Sequence, residues 1–253
     1  MTTVWTRLAH QLGLWRSVLM YHGIPLRRRR LTRFYAQFIQ PGDLCFDIGA
    51  HVGSRLRAWI PLGARIVALE PQPECLRLLR RWYGHHPYIT LIEQAIGAAP
   101  GVAELWVSPR TPTVTTLSAD WIAAVQQDRA FADVRWDYAV PVPVTTLDAL
   151  IADHGMPAFC KIDVEGYEWE VLKGLTQPIP VLSFEYIPAC LATARGCVAY
   201  LATLGRYEFN VTVGEAPRLR SDVWLDPDAL LAWLETQART GRSGDVYARR
   251  RAS

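Results

Sequence analysis

Residues 44–53, with the sequence LCFDIGAHVG, constrain the fold more than any other segment. The run before Gly49 has the continuous apolar character of a central parallel strand. Gly49 can adopt backbone angles that a side chain would forbid, and Gly53 allows a helix to begin close to the sheet. The segment therefore predicts a buried strand that turns tightly into a helix, which is a place where α/β proteins hold nucleotide-like ligands.

The spacing of this loop restricts the ligand. The dinucleotide fingerprint requires a glycine two positions after the first, where a pyrophosphate approaches the backbone, and that position is His51 here. No Gly-Lys-Ser/Thr sequence supports a P-loop. A Gly-x-x-x-Gly loop after Asp47 suits a ligand without phosphates, and S-adenosylmethionine is the common one. Two glycines in such a turn can also bind nothing, so the loop alone leaves both interpretations open.

Length and composition favour one α/β domain with additions. The chain has 253 residues, half of them hydrophobic, which suffices for a large core. Its formal charge is only +3, and all basic residues except Lys161 and Lys173 are arginine. Basic patches for nucleic acid use both residue types, so no nucleic-acid partner is expected. The length and composition are also compatible with a homo-oligomer.

The cysteines and the hydropathy pattern predict a soluble, cytoplasmic protein. No Cys-x-x-Cys pair is present, and the cysteines are expected to be reduced, buried thiols. No apolar run approaches the length of a membrane span, and the N-terminus lacks the order of a signal peptide. The cysteines are Cys45, Cys75, Cys160, Cys190 and Cys197.

Residues 1–40 are predicted to form an N-terminal helical cap before a domain of residues 41–253. Apolar residues recur at helical spacing, and an arginine run, residues 27–30, separates them from a second helical segment at residues 31–39. A basic amphipathic N-terminus could lie on an anionic membrane surface. The favoured interpretation is a pair of cap helices that pack on the domain, with a solvated arginine turn between them. The apolar residues are Trp5, Leu8, Leu12, Trp15, Val18 and Leu19.

Beyond the glycine loop, strands and helices alternate, which predicts a mostly parallel sheet with right-handed crossovers and helices on both faces. Residues 108–139 interrupt this order with prolines, threonines and aromatic residues. Such a long excursion is functional or disordered, and its aromatic content favours an ordered insertion on the acceptor side. The predicted strands are 65–70, 89–95, 102–107, 141–144, 158–164, 180–186, 208–213 and an edge strand at 244–248, and the main helices are 73–83, 146–155, 189–204 and 226–238.

Glu70 lies 21 residues after Gly49, at the predicted carboxyl end of the second strand. A nucleotide-binding fold places there the acid that accepts hydrogen bonds from the ribose hydroxyls. A strand-end acid that merely faces water is the alternative. Gln94 and Ala95 end the third strand at the same edge and could border an adenine ring, although an ordinary strand exit explains them equally well.

The sequence KIDVEGYE, residues 161–168, adds a second set of charged residues. Lys161, Asp163 and Glu165 point to one side of a predicted buried strand, and the lysine can offset Asp163. Glu185 ends the neighbouring strand and should reach the same rim. These carboxylates could hold an amino group, act as a general base or bind a divalent cation. Without a histidine or asparagine at fixed spacing they are weak evidence for a metal, so no metal is predicted.

His51 and His154 are further candidate bases by residue type. A histidine in a loop is more often a solvated residue than a catalytic one.

Taken together, FDIGAHVG, ALEPQPE, EQAIGAAPG, VTTLDAL and KIDVEGYEWEVLKG resemble the FkbM family of S-adenosylmethionine-dependent methyltransferases. The resemblance implies a Rossmann-like class I fold. By position it implies a cofactor loop of Asp47, Gly49 and Gly53, with His51 between them, and Glu70 as the ribose-binding acid. It also places Asp163 and Glu165 beside the methyl group.

The implied reaction is O-methylation of a hydroxyl on a sugar, glycan or natural product, with the base sought in the order Glu165, Asp163, Glu185. Two alternatives stay open: a noncatalytic methyltransferase-like binding protein and a nicotinamide-dependent oxidoreductase. The acids at residues 70, 163 and 165 count against the first. His51 counts against the second.

Overall fold

A computed structural model describes residues 4–214 and 216–251. Within these residues the chain forms a central sheet of seven strands and a separate sheet of three strands. The strands are β1 Leu44–Ile48, β2 Arg65–Leu69, β3 Ile89–Ile92, β4 Ala95–Ile96, β5 Gly101–Val107, β6 Tyr138–Thr145, β7 Phe159–Ile162, β8 Val181–Tyr186, β9 Tyr207–Val211 and β10 Gly244–Arg250. The helices are α1 Val4–His22, α2 Pro25–Tyr35, α3 Ser54–Trp59, α4 Pro73–Tyr83, α5 Ala119–Val125, α6 Leu147–His154, α7 Glu168–Lys173, α8 Leu191–Leu204 and α9 Pro227–Ala238.

The strand order of the central sheet is β3-β2-β1-β7-β8-β10-β9. Neighbouring strands from β3 to β8 are parallel, whereas β10 is antiparallel to both β8 and β9. The predicted mostly parallel α/β sheet is therefore confirmed. Because β1 and β7 are adjacent at its centre, the loops that follow them meet at one edge.

Apolar side chains cover both faces of this sheet, as expected for parallel strands between two layers of helices. One core cluster joins the sheet to α6, α7, α8 and α9, and the other joins it to α2, α3 and α4. The cysteines are free thiols, and those in β1 and β7, Cys45 and Cys160, are fully buried. The prediction of helices on both faces is confirmed.

The expected third strand, residues 89–95, is wrong in its extent. It splits into β3, which pairs with β2, and β4, which pairs with β6 in a second sheet of order β4-β6-β5. The predicted strands at 102–107 and 141–144 are thus the two long strands of this second sheet. The predicted edge strand at 244–248 is also misplaced, because β10 lies inside the central sheet and β9 is the edge.

Two helices do form near the N-terminus, but the apolar side of α1 faces outward. Leu12, Trp15 and Leu19 are 71%, 63% and 68% exposed, so this part of the apolar stripe does not pack on the domain. The predicted arginine turn is wrong, because residues 27–30 lie within α2. The side chains of Trp5 and Leu8 lie outside the described residues. No helix in the described part of the chain is both long and apolar enough to cross a membrane.

Candidate cofactor and acid site

The loop after β1 touches the loop after β7 through a glycine. Gly49 has φ +84°, and a Cβ built on it would lie 1.9 Å from the carbonyl oxygen of Asp163. The amide of Asp163 donates to the carbonyl of Ile48 over 2.9 Å. Only glycine meets both the conformational and the spatial requirement here, so this residue fixes how closely the two strand-end loops approach.

Glu70, directly after β2, holds the first turn of the β1 loop. Its carboxylate accepts hydrogen bonds from the amides of His51, over 2.6 Å, and Gln72, over 2.8 Å. The side chain is buried. Burial raises the pKa of Glu70 to about 7, against the opposing effect of the two amide donors. A carboxylate oriented in this way retains lone pairs for a ligand's hydroxyl groups.

A cleft of about 560 Å³ opens beside Glu70, with Gln94 and Ala95 on its wall. The predicted insertion, residues 108–139, is ordered, and its first part contributes the opposite wall through Pro112, Thr113, Thr115, Thr116 and Leu117. These residues follow β5, so the second sheet carries the wall of the cleft.

A second compartment, of about 580 Å³, continues the cleft towards α1 and α3. Both compartments are lined by Gly49, His51 and Glu165. Asp47 lies in the second compartment and is almost fully buried. Among the described residues, its Oδ2 has no hydrogen-bond partner. Burial raises the pKa of Asp47 to about 7, Arg55 opposes this shift, and Asp163 adds to it. An unpaired buried carboxylate of this kind suits a cationic group of a ligand.

Asp163, Glu165 and Glu185 form an acidic cluster where the two compartments meet, since Asp163 and Glu165 line both and Glu185 lines the second. One carboxylate oxygen from each lies within 4.8 Å of the others. The prediction that Glu185 reaches the rim of Asp163 and Glu165 is confirmed, although β7 ends at Ile162 and both β7-side acids lie in the following loop. Burial, followed by the charges of Glu165 and Asp163, holds the pKa of Glu185 well above its usual range. The cluster can therefore hold a proton, accept one, or bind a cation.

Lys161 lies in the core, and its positive charge pairs with one acid of the cluster. Its side chain is fully buried, and Nζ lies 3.2 Å from Oδ2 of Asp163 and 2.8 Å from Oδ1 of Asp245. Burial alone would lower the pKa of Lys161, but the two carboxylates outweigh it and raise the pKa above its usual value. The predicted pairing with Asp163 is confirmed. Asp245, in β10, is a partner that the local sequence does not indicate.

Backbone hydrogen bonds shape the loop that carries Glu165. This residue has φ +54°, in the left-handed region that is unfavourable for a side-chain-bearing residue. The carboxylate of Glu168 accepts from the amides of Val164 and Gly166, each over 3.2 Å, and the hydroxyl of Thr116 donates to the carbonyl of Glu165 over 2.7 Å. The insertion thus helps to hold an acid of the cluster in a strained conformation.

The remaining predicted residues, His51, Gly53 and His154, lie in different parts of the structure. His51 lines the cleft, and burial, followed by the charge of His22, lowers the pKa of His51 to about 4. A neutral imidazole with so low a pKa is a weak base. Gly53 begins α3 against Leu79 and is not part of the cleft wall. His154 ends α6, away from the residues that line the cleft.

Some cleft residues carry no separate signal in the sequence. Tyr21 comes from α1, Arg55 from the first turn of α3 and Thr113 from the insertion. Each requires the fold to bring it to the cleft. Glu168 belongs to the KIDVEGYE sequence, but its task of accepting two loop amides is visible only in the structure.

Solved structures similar to the chain include methyltransferases of low sequence identity. A precorrin-6y C5,15-methyltransferase from Geobacter metallireducens is 15% identical, with a TM-score of 0.44, and the match covers 88% of this chain and 87% of that one. An O-methyltransferase from Bacillus cereus in complex with SAH is 13% identical, with a TM-score of 0.44, and the match covers 99% and 92%. No curated protein sequence matches the chain.

The model of one domain family, described as the methyltransferase FkbM domain, matches residues 47–237. The match includes the β1 loop, Glu70, the insertion and the acidic cluster, and it spans most of the chain. The resemblance noted in the sequence is confirmed. The chain belongs to the family of FkbM methyltransferase domains.

Proposed function

We propose that this protein is an S-adenosylmethionine-dependent methyltransferase that methylates a hydroxyl oxygen of a sugar, glycan or natural product. The observation that carries the proposal is a cleft of two compartments that share Asp163 and Glu165, with Glu70 in the first and Glu185 in the second. The acidic cluster therefore lies beside the compartment that would hold the nucleoside.

Residues of both compartments fit the cofactor. In the first, Glu70 would accept from the ribose hydroxyls, and Gln94 and Ala95 would border the adenine. In the second, the Oδ2 atom of Asp47, which has no partner among the described residues, would accept from the amino group. Gly49 leaves room where a Cβ would collide with the facing loop. When bound, S-adenosylmethionine supplies a methyl group that its sulfonium charge activates for attack.

Glu165 is the residue we propose as the base. Asp163 forms an ion pair with Lys161, and burial with the charges of the neighbouring acids holds the pKa of Glu185 well above its usual range. In this assignment Glu165 removes the proton of the acceptor hydroxyl, while Glu185, which keeps a proton more readily than an ordinary glutamate, orients that hydroxyl by hydrogen bonding.

The alternatives are less consistent with this cleft. The pyrophosphate of a nicotinamide cofactor would approach the buried carboxylate of Asp47, and His51 occupies the position that the dinucleotide loop gives to glycine. A noncatalytic binding protein has no need for an acidic cluster with a buried lysine beneath it, since burying such charges is unfavourable.

Calorimetric titration with S-adenosylhomocysteine tests the cofactor. Saturable binding that excess NAD does not displace supports the proposal, whereas binding of NAD in its place would overturn it.

Turnover of S-adenosylmethionine with a panel of hydroxylated acceptors tests the base. Glu165→Gln should retain cofactor binding and lower kcat by at least about a hundredfold. Glu185→Gln should be much milder, because glutamine resembles a protonated acid. Glu170→Gln, at a half-buried residue of α7 that is paired with Lys173 and does not line the cleft, is the matched control and should leave turnover unchanged. Equal effects of the first two substitutions would refute this assignment of roles.

A further inference from the structure

The outer face of α1, of the turn after it and of the start of α2 is apolar. We define this outer face by the exposed side chains of Leu12, Trp15, Leu19, Met20, Ile24 and Leu26. The first three follow the spacing i, i+3 and i+7, which places them on one side of the helix. These six make up half of the exposed large hydrophobic side chains among the described residues. The others, such as Val102 and Val223, are scattered along the chain.

The opposite side of α1 is fixed on the domain by small and polar contacts. His10 and Ser17 are buried, and a Cβ on Gly13 would lie 2.4 Å from the carbonyl oxygen of Pro109. His22 anchors the end of the helix. Its ring Nε2 donates to the carbonyl of Val52 over 2.8 Å, and its carbonyl accepts a hydrogen bond from the guanidinium of Arg57 over 3.0 Å. Turning the apolar side inward would break these contacts.

Arginine accompanies this apolar face without any acidic residue. Residues 1–42 contain seven arginines, at positions 7, 16, 27–30 and 33, and their first acidic neighbour is Asp43. The remaining 20 basic residues of the chain face 24 acidic ones. The N-terminal segment is therefore strongly cationic, whereas the rest of the chain is weakly anionic.

We propose that the outer face docks on an anionic lipid bilayer, with its apolar side chains among the lipid head groups and acyl boundary and its arginines against lipid phosphates. A helix with an apolar face and an arginine-rich border is suited to lie in the plane of such a surface. Tyr21 lines the acidic compartment of the cleft from the same helix, so docking would place the site beside the bilayer.

The positive charge and the apolar side chains of the N-terminal segment disfavour two other partners for the outer face, a second copy of this chain and nucleic acid. A second copy docked by the same face would bring two arginine clusters together, and a symmetric interface offers no acidic residue from this segment to neutralise them. Nucleic acid would neutralise the arginines but would not require Leu12, Trp15 and Leu19 to be exposed. A bilayer with anionic lipids satisfies both features.

Flotation of the full chain with lipid vesicles tests the proposal. Vesicles of phosphatidylcholine mixed with phosphatidylglycerol should retain the protein, whereas pure phosphatidylcholine vesicles should retain far less. Leu19→Ser should weaken partitioning by about tenfold or more. Replacing Arg28, Arg29 and Arg30 by glutamine should weaken it about a hundredfold, and high salt should mimic this loss. Val102→Ser changes an equally exposed apolar residue elsewhere and is the matched control.

Several results would overturn the proposal: no binding to anionic vesicles, equal binding to neutral ones, or equal losses with Val102→Ser. A concentration-dependent dimer that Leu19→Ser dissociates, without vesicle binding, would identify a second copy as the occupant instead. Salt-sensitive binding of a DNA duplex without vesicle binding would indicate nucleic acid. Titration of the same variants with S-adenosylhomocysteine separates this proposal from the methyltransferase proposal, because none of the substituted residues lines the cleft.

Discussion

Replacing Lys161 by methionine should destabilise the protein far more than the same change at Lys173, the other lysine. Lys161 is fully buried between two carboxylates at 2.8 and 3.2 Å, so its loss leaves Asp163 and Asp245 uncompensated. Removing one member of a buried ion pair costs about 3–5 kcal/mol. We expect about 3 kcal/mol, because the two carboxylates remain 31% and 16% exposed and water screens part of their repulsion.

Urea unfolding at pH 8 measures this difference. The pKa of Lys161 is raised, so its stabilising contribution is complete below the ordinary lysine pKa of about 10.4 and is fully present at this pH. Lys173→Met removes an exposed pair with Glu170 and should cost less than about 1 kcal/mol. Adding Asp163→Asn and Asp245→Asn to Lys161→Met should restore most of the lost stability. If Lys161→Met were as stable as Lys173→Met, the buried lysine would not be neutralising these acids, and the reasoning would be wrong.

Three further predictions concern the cleft. Gly49→Ala should lower the free energy of unfolding by about 2–4 kcal/mol, because it adds left-handed strain and a collision with the facing loop. Gly101 has open space around it, so Gly101→Ala should change thermal unfolding little. Equal effects of the two substitutions on thermal unfolding would contradict this account. Glu70→Gln should weaken S-adenosylhomocysteine binding about 10- to 100-fold. Because burial raises the pKa of Glu70 to about 7 and the ionised form accepts hydrogen bonds, wild-type affinity should rise from about pH 6 to pH 8, and calorimetry should find a shallower rise in the variant. The ligand-free protein should lose stability between about pH 5 and pH 8, because burial raises the pKa of Asp47, Glu70 and Glu168 to about 7, above the ordinary value for an unfolded chain. Stability that rises across this interval in urea titrations, or a Glu168→Gln variant with an unchanged slope, would contradict the last prediction.

The alternating pattern of the central elements was predictable because it is local. The apolar residues before Gly49 indicate the burial of a parallel strand. Glu70, 21 residues after Gly49, indicates the edge of the sheet at which such strands end. The meeting of Glu185 with Asp163 follows from the same rule, since parallel neighbours end on one side. These inferences need only the order of elements along the chain.

Pairing partners and helix orientation were not predictable in this way. The amphipathic spacing of α1 indicates a helix with an apolar face but does not say which face is covered, and the contact made by Gly13 decides that question. Likewise, no local sequence pattern in β5 or β6 indicates that these strands form a separate sheet. The bond from Lys161 to Asp245 joins residues 84 positions apart, beyond the reach of any local pattern.

The interior position of β10 has a consequence for the order in which the molecule can be completed during synthesis. This strand follows every other described element along the chain, yet β8 and β9 reach each other only through it. Until it emerges from the ribosome, β8 is paired on one side only, by β7, β9 has no neighbour in the sheet, and Lys161 lacks its second carboxylate. Such long-range pairing slows folding, since the chain must close a large loop before any contact compensates for it. The acidic end of the cleft is therefore among the last parts of the molecule to form, and the nascent chain carries the cofactor loop for most of its synthesis without a completed site.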